Sequence, residues 1–281
     1  MARVRTVFVI GSGKCGSTLL DLLLDGHSQM FGVGEINGVR ADSICTCGKR
    51  AQECRIWQDA FPEGGWGKRW EVFRTKLDFL LDRGPFRLVA TREPLDEASF
   101  VAATLHAYRS VLAASGKSIL VDSTGLPDRA DLLMRSGELD PSFIFLVRDG
   151  RGVTWSYYRK YKRLFPFLFL WASMNLKNEW FLRRARRYGP VLFLRYEDLV
   201  REPERELRRV CDALGIPYEE RMLALRENEH HQVEGNRMRF GKDPIRVDEA
   251  WRRDMPLSLR VAFDMLFGWL NLYYRLRGAH S

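Results

Sequence analysis

Short, almost uninterrupted apolar runs alternate along this chain with longer stretches in which apolar residues return every three to four positions. Runs at 4–10, 118–121, 143–147 and 191–195 predict strands, and the segments after them, 17–25, 127–135, 151–163 and 204–214, predict helices. Strand and helix in strict alternation imply βαβ units and a parallel sheet, and continuously apolar strands imply helices on both faces. The expected class is therefore α/β, a central parallel sheet flanked by helices. In such a sheet ligands bind beyond the carboxyl ends of the strands, so the loops after Ile10, Val121, Val147 and Arg195 are the places to look.

A further helical pattern covers 98–114, and two more cover 248–255 and 256–277. The stretches 26–67 and 228–247 lack periodicity and read as long functional loops. No repeat or Gly/Ser linker divides the 281 residues, so one domain over 1–281 is expected, with a Cys-containing insertion at about 36–67 and a C-terminal helical segment at about 248–277. The apolar run 7–10 is too short for a signal or a span, and 164–171 and 261–274 are short or interrupted by Asp264 and Asn271. The expectation is a cytoplasmic chain with no transmembrane segment, whose last helix leaves a peripheral membrane contact or a partner open; the sequence does not set the oligomeric state.

Composition changes this picture in one respect. The net charge is +9, and 36 of the 45 basic residues are Arg, whose rigid fork matches phosphate and sulfate oxygens. An anionic ligand fits that balance. Much of the charge is also what a solvated basic surface would carry, and nucleic acid is not expected as the partner.

Two motifs locate the anion. Val7 to Ile10 breaks into Gly11-Ser12-Gly13-Lys14-Cys15-Gly16-Ser17-Thr18 and re-emerges as a Leu-rich helix, which points backbone N–H groups and a helix N-terminus at one spot. The loop is not a Walker A loop, because Ser17 stands where the lysine would be and Lys14 comes earlier. The second motif is Arg148 at the end of a strand, with Ser156 two turns into the next helix.

Together these motifs resemble those of the sulfotransferases that use 3'-phosphoadenosine 5'-phosphosulfate (PAPS), in particular the bacterial, carbohydrate-type and protein-tyrosine-type branch. Lys14 through Leu19 resemble the family's 5'-phosphosulfate loop, although Gly13 stands where many members have Pro. The resemblance implies a P-loop-like fold. It also implies PAPS as donor cosubstrate, held by Gly13, Lys14, Cys15, Gly16, Ser17, Thr18 and Leu19 at the phosphosulfate and by Arg148 and Ser156 at the 3'-phosphate. Leu194-Arg-Tyr196-Glu-Asp-Leu199 is similar to a family segment whose Tyr lies near the adenine. Gly235-Asn236-Arg237-Met-Arg239, followed by Asp248 and Trp251, is similar to another, which adds Asn236 and Arg237 to the donor site and makes Arg239 a second 3'-phosphate ligand. Val121-Asp122-Ser123-Thr124-Gly125 resembles a segment whose Lys is missing here, leaving Asp122 and Ser123 as either site residues or a turn ahead of Pro127.

For chemistry, Lys14 would stabilise charge on the leaving phosphate, and Glu35 in Gly34-Glu35 resembles the family's general base. The implied reaction is in-line transfer of a sulfuryl group to a hydroxyl of a carbohydrate or other small molecule rather than of a protein tyrosine. The alternatives are a P-loop kinase using ATP and Mg2+, favoured by a Walker B-like Ile119-Leu-Val-Asp122, and a non-catalytic polyanion-binding module. His27 reads as a structural residue capping a turn, His106 as partly exposed on a helix, and His230 and His231 as satisfied structural imidazoles, with His231 a candidate for lining the site. Five cysteines include the cluster Cys45, Cys47 and Cys54, which lacks an adjacent fourth ligand; loop thiols or one disulfide are favoured and no metal is expected, though a ligand from a distant segment stays open.

Overall fold

The computed structural model describes residues 2–36, 39–60, 97–162, 165–240 and 246–279. Residues 37–38 and 61–67 of the expected insertion and 241–245 of the second irregular stretch lie outside the described residues, as does the end of the helix expected over 151–163. Five strands form one parallel sheet: β1 (Val4–Gly11), β2 (Met30–Gly32), β3 (Ile119–Asp122), β4 (Leu139–Val147) and β5 (Val191–Arg195), in the order β2-β3-β1-β4-β5. The chain reads as an α/β fold in which strand and helix alternate, as expected. Two strand bounds differ from the sequence expectation. Strand β2 has three residues, too few to show periodicity within a loop-like stretch, and β4 begins four residues early, where Asp140 and Pro141 hide it.

The main helices are α1 (Ser17–Asp25), α2 (Glu97–Ser115), α3 (Pro127–Met134), α4 (Gly150–Tyr161), α5 (Phe165–Ala185), α6 (Tyr196–Arg201), α7 (Pro203–Leu214), α8 (Ala250–Asp254) and α9 (Leu257–Ala279). Local chemistry sets several ends. The Asp149 side chain caps α4 by accepting from the Arg151 N–H at 2.9 Å, Pro203 opens α7, and Gly215 in the left-handed region closes it.

Alternation along β1 sends its side chains into two cores. Val7 and Val9 pack with Leu19, Leu20 and Leu23 of α1 and with Leu207 and Val210 of α7. Phe8 and Ile10 face the other way, into a cluster with Tyr108 of α2, Trp171 of α5, and Phe263 and Tyr274 of α9. The result is a three-layer sandwich, whose sheet is buried on both faces. Helix α9 docks through Tyr274, whose ring lies 5.8 Å from Phe145 and 6.1 Å from Phe193. Its outer face leaves Leu257, Met265, Trp269 and Leu272 exposed, and no helix among the described residues is long and apolar enough to cross a membrane.

Because every strand runs the same way, Gly11, Asp122, Val147 and Arg195 end on one edge of the sheet. Register makes this concrete, since Gly11 pairs with Leu146 and Val147 with Arg195.

Candidate active site

The first loop turns sharply between β1 and α1. Gly16 caps the helix at φ 102, and Lys14 holds φ 67, a left-handed conformation rare for a residue with a side chain. At the first turn of α1 the Leu19 N–H donates to the Gly16 carbonyl at 3.0 Å, and the helix N-terminus follows directly from the carboxyl end of β1, at the sheet's ligand edge. Cys15 and Leu19 bury their side chains in the core, so only their backbones are available to a ligand. Burial also pushes the Cys15 thiol up to about 11, which keeps it protonated and inert. Gly13 is dictated by contact: a Cβ there would overlap the Tyr157 hydroxyl of α4. That contact is the physical counterpart of this chain's departure from Pro at the position.

Arg148 joins this loop to the rest of the edge. Its guanidinium donates from Nη1 to the Lys14 carbonyl at 3.2 Å and from Nη2 to the Asp248 carbonyl at 2.8 Å, and it stacks 4.5 Å from the centre of the Tyr196 ring. The other flank of that ring fills the space where Gly16 lacks a side chain. The sequence-predicted Lys14, Gly16, Arg148 and Tyr196 therefore form one continuous contact. Ser156 stands one helical turn beyond Gly152, whose missing Cβ leaves room for Arg148 Nε, so Ser156 lies on the α4 face turned toward Arg148. Arg159 continues that face, and its Nη2 meets Asp248 Oδ2 at 3.0 Å while Arg148 Nη2 meets the same oxygen at 3.2 Å. Burial pushes the Asp248 carboxyl up, and the Arg148 charge and hydrogen bond more than offset it, leaving the pKa below the usual range. Two arginines thus already share one anion here. Trp251 stacks on Arg151 at 4.3 Å and closes the outer wall.

Glu35 lies on the other side of Lys14. The residue is exposed at the surface, yet the protein packed around it raises its pKa above the usual glutamate value, with Lys14 pulling it back and Glu234 adding to the rise. Lys14 shows the reciprocal effect. Burial lowers its pKa, Lys160 lowers it further, and Glu35 opposes both. The pair is a carboxylate and an ammonium, each sensing the other, at the mouth of the phosphate-type loop.

The segment after Val233 wraps over α1: the Asn236 N–H donates to Thr18 Oγ1 at 3.2 Å. Arg239 is placed differently from its sequence expectation. Its guanidinium donates to the carbonyls of Gly235 at 2.9 Å and Val233 at 3.2 Å and stands near Glu35 and Glu234, the Glu35 side of the loop rather than the Arg148 side. Arg237 is exposed.

Sequence reasoning missed Asp21, which a helical pattern assigns to the solvent side. It is buried on α1, accepts from the Gly34 N–H at 3.2 Å and bonds Gln232 and Ser123, so it ties the helix of the phosphate loop to the residue preceding Glu35. Burial drives its pKa well above the usual range. Asp122 is engaged elsewhere, in a buried cluster with Arg129 and the Tyr108 hydroxyl. His27 is buried and bonds the Pro217 carbonyl at 2.8 Å, accepting also from the Gln29 N–H, which is the turn-capping role expected. His106 is exposed and reaches the Asp59 carbonyl, and His230 pairs with Asp25 at 2.6 Å. His231 is the fourth member of the cysteine cluster: its Nδ1 lies 3.2 Å from Cys54 Sγ and 3.7 Å from Cys45 Sγ. His231 thus reaches the cluster from a segment 177 residues further along the chain than Cys54.

A glycine-rich strand-to-helix loop on a five-stranded parallel sheet, with an arginine at the end of the neighbouring strand, is an α/β arrangement suited to an anion at the carboxyl edge of the sheet. Within that class, the profile described as the sulfotransferase family matches residues 6–220, and the chain belongs to that family. Mouse sulfotransferase 1A1 is 32% identical over 90 residues, 26% of this chain and 30% of that protein, so the match spans under a third of the relative's length. The sulfotransferase domain of a Synechococcus olefin synthase superposes with a TM-score of 0.57 at 20% identity, covering 95% of this chain and 96% of that one. A mouse sulfotransferase complexed with PAP superposes with a TM-score of 0.51 at 13% identity, covering 100% and 90%. These likenesses establish the sulfotransferase fold.

Proposed function

We propose that the chain transfers a sulfuryl group from PAPS to an acceptor hydroxyl. The observation that carries the reading is the continuous contact from the Lys14 loop through Tyr196 to Arg148, which offers separate anchors for the two phosphate ends of one nucleotide. The similar fold of a mouse sulfotransferase complexed with PAP supports the same ligand.

In this reading Gly13 to Leu19 bind the 5'-phosphosulfate through backbone N–H groups, with Ser17 and Thr18 adding hydroxyls. Arg148, Ser156 and the nearby Arg159 bind the 3'-phosphate, Tyr196 supports the adenosine side, and Asn236 and Arg237 close over the loop. The acceptor oxygen attacks sulfur in line with the bridging oxygen. As the new O–S bond forms, the S–O bond to phosphate breaks, Glu35 takes the hydroxyl proton and Lys14 meets the charge growing on the leaving PAP. Asp21 and Arg239 position Glu35. Lys160, close enough to act on both Lys14 and Glu35, gives the acceptor side a positive rim that suits an acidic glycan or another anionic small molecule.

A kinase reading is disfavoured by the engagement of Asp122, the Walker B-like position, which is neutralised by Arg129 inside the protein. Labelled sulfate transfer from PAPS to a panel of glycans, lipids, phenols and tyrosine peptides tests the proposal. Labelled product with at least one acceptor class is expected; transfer of phosphate from ATP with Mg2+, or salt-sensitive polyanion binding with no product, would replace it.

A further inference from the structure

Cys45, Cys47, Cys54 and His231 converge on one point, and their ligand atoms all lie within 4.8 Å of one another. We propose that these four residues bind a zinc ion, which staples the loop after β2 to the segment that wraps over α1. The expectation of loop thiols or a disulfide with no metal is replaced by this assignment, because folding supplies the ligand the sequence lacked.

The spacing fits a metal better than a disulfide. Zinc–sulfur bonds of about 2.3 Å at the tetrahedral angle put two sulfurs about 3.8 Å apart, and a sulfur and an imidazole nitrogen about 3.5 Å apart. Here Cys54 Sγ lies 3.7 Å from Cys45 Sγ and 3.8 Å from Cys47 Sγ, and the two sulfur-to-nitrogen distances are 3.2 and 3.7 Å. A disulfide would draw one pair to about 2 Å and leave the third thiol and the imidazole without a role.

The surroundings fit as well. The backbone N–H groups of Cys47 and Lys49 reach the sulfurs of Cys45 and Cys47, so the loop forms a tight knuckle around the point where the sulfurs meet. The second nitrogen of His231 lies 3.0 Å from Glu229 Oε1, and Arg55 donates to the other oxygen of Glu229 at 3.0 Å. The carboxylate stands behind the ring at ion-pair distance, on the side away from Nδ1, which is left free for the metal. Three thiolates and Zn2+ sum to one negative charge; Lys49 beside Cys47 and Arg239 near Cys45 are positioned to balance it. Soft thiolates with an imidazole select zinc over hard cations, and four protein ligands leave no open position, so the ion is structural. On binding it displaces the three thiol protons to solvent.

What it joins matters. Thr46 N–H donates to the Gln232 carbonyl at 2.9 Å, Ser43 Oγ donates to Glu234 at 2.7 Å, and Arg239 reaches from the Ile44 carbonyl toward Glu35. The ion would therefore brace the wall behind Glu35 without touching a reacting atom.

The test is metal content of the full chain, purified without chelator and measured by elemental mass spectrometry, followed by cobalt replacement. About one zinc per chain is expected, and cobalt should give a thiolate charge-transfer band with tetrahedral d–d absorption. Cys47→Ser, the ligand nearest solvent, should lower that band by about a third while the chain stays folded, and His231→Cys should retain about one metal per chain with a stronger band. Neither readout involves sulfuryl transfer, so the assignment stands or falls apart from the proposed reaction. A folded chain with no bound metal and no thiolate band, an intact mass two hydrogens lower, or iron recovered in place of zinc would each overturn it.

Discussion

The Arg148 guanidinium donates to the Lys14 carbonyl across 134 residues of sequence, at 3.2 Å, and rests on the Tyr196 ring 4.5 Å away. One side chain thereby fixes both the turn that would hold a phosphosulfate and the cation that would hold a 3'-phosphate. Tyr196 acts mainly through its ring, because its hydroxyl makes only long bonds, accepting from the Asp248 N–H at 3.3 Å and donating to the Arg246 carbonyl at 3.5 Å. Tyr196→Phe should change PAP affinity by less than about threefold, whereas Tyr196→Ala removes a cation–π contact of about 1–2 kcal/mol and should weaken binding roughly tenfold or more. Titration calorimetry with PAP separates the two.

Glu35 and Lys14 predict a bell-shaped pH profile for kcat/KM. In the proposed reaction Glu35 acts only when deprotonated, and its pKa is raised, so the acid limb should fall at a pH above the usual value of 4.5. Lys14 in the same reaction would act only when protonated, and its pKa is lowered, so the alkaline limb should begin below 10.5. Lys14→Arg should remove the alkaline limb, since arginine stays charged, and Glu35→Gln should cut turnover by about 100-fold or more while PAP binding stays close to wild type. Rates measured across pH with one fixed acceptor check both limbs.

Gly13 and Tyr157 should be energetically coupled. Gly13→Ala drives a methyl group into the Tyr157 hydroxyl, and in a Tyr157→Phe background the nearest atom becomes Cζ, at 3.2 Å. The alanine should cost about 1–3 kcal/mol in the wild-type background and clearly less once the hydroxyl is gone, a difference that a double-mutant cycle in urea measures.

Arg129 is predicted to matter for stability alone. Both it and Asp122 are 1% exposed, so Arg129→Met leaves a buried carboxylate without its cationic partner, with only the Tyr108 hydroxyl and the Thr124 N–H still donating to it, and should cost about 3–5 kcal/mol of unfolding free energy. Donor affinity of the folded fraction should be unchanged. Chemical denaturation and PAP titration on the same preparation read the two quantities separately.

The sheet and its ligand edge were legible because continuous apolar strands and Leu-rich helices are local signals, and Lys14, Arg148 and Ser156 follow from them by position. Strand β2 was not, being too short for any period. Asp21 was missed because a carboxylate on a helix reads as solvated until the Gly34 N–H and Gln232 arrive from elsewhere in the chain. His231 escaped its role for the same reason: a ligand set split between residues 45–54 and 231 has no spacing to recognise. Arg239 followed a motif match to the 3'-phosphate, but the loop carbonyls of Gly235 and Val233 hold it beside Glu35.

The central claim is that one nucleotide spans two anchors. It is tested most directly by comparing PAP with adenosine 5'-phosphate, which lacks the 3'-phosphate, on wild type, Lys14→Ala and Arg148→Ala by calorimetry. Wild type should prefer PAP; Arg148→Ala, which also loosens the Lys14 turn, should cost about 1.5–3 kcal/mol, roughly 10- to 100-fold, more for PAP than for adenosine 5'-phosphate, and Lys14→Ala should weaken both ligands alike. If Arg148→Ala lowers the two affinities equally, or wild type does not distinguish them, the 3'-phosphate anchor is wrong and the donor assignment with it.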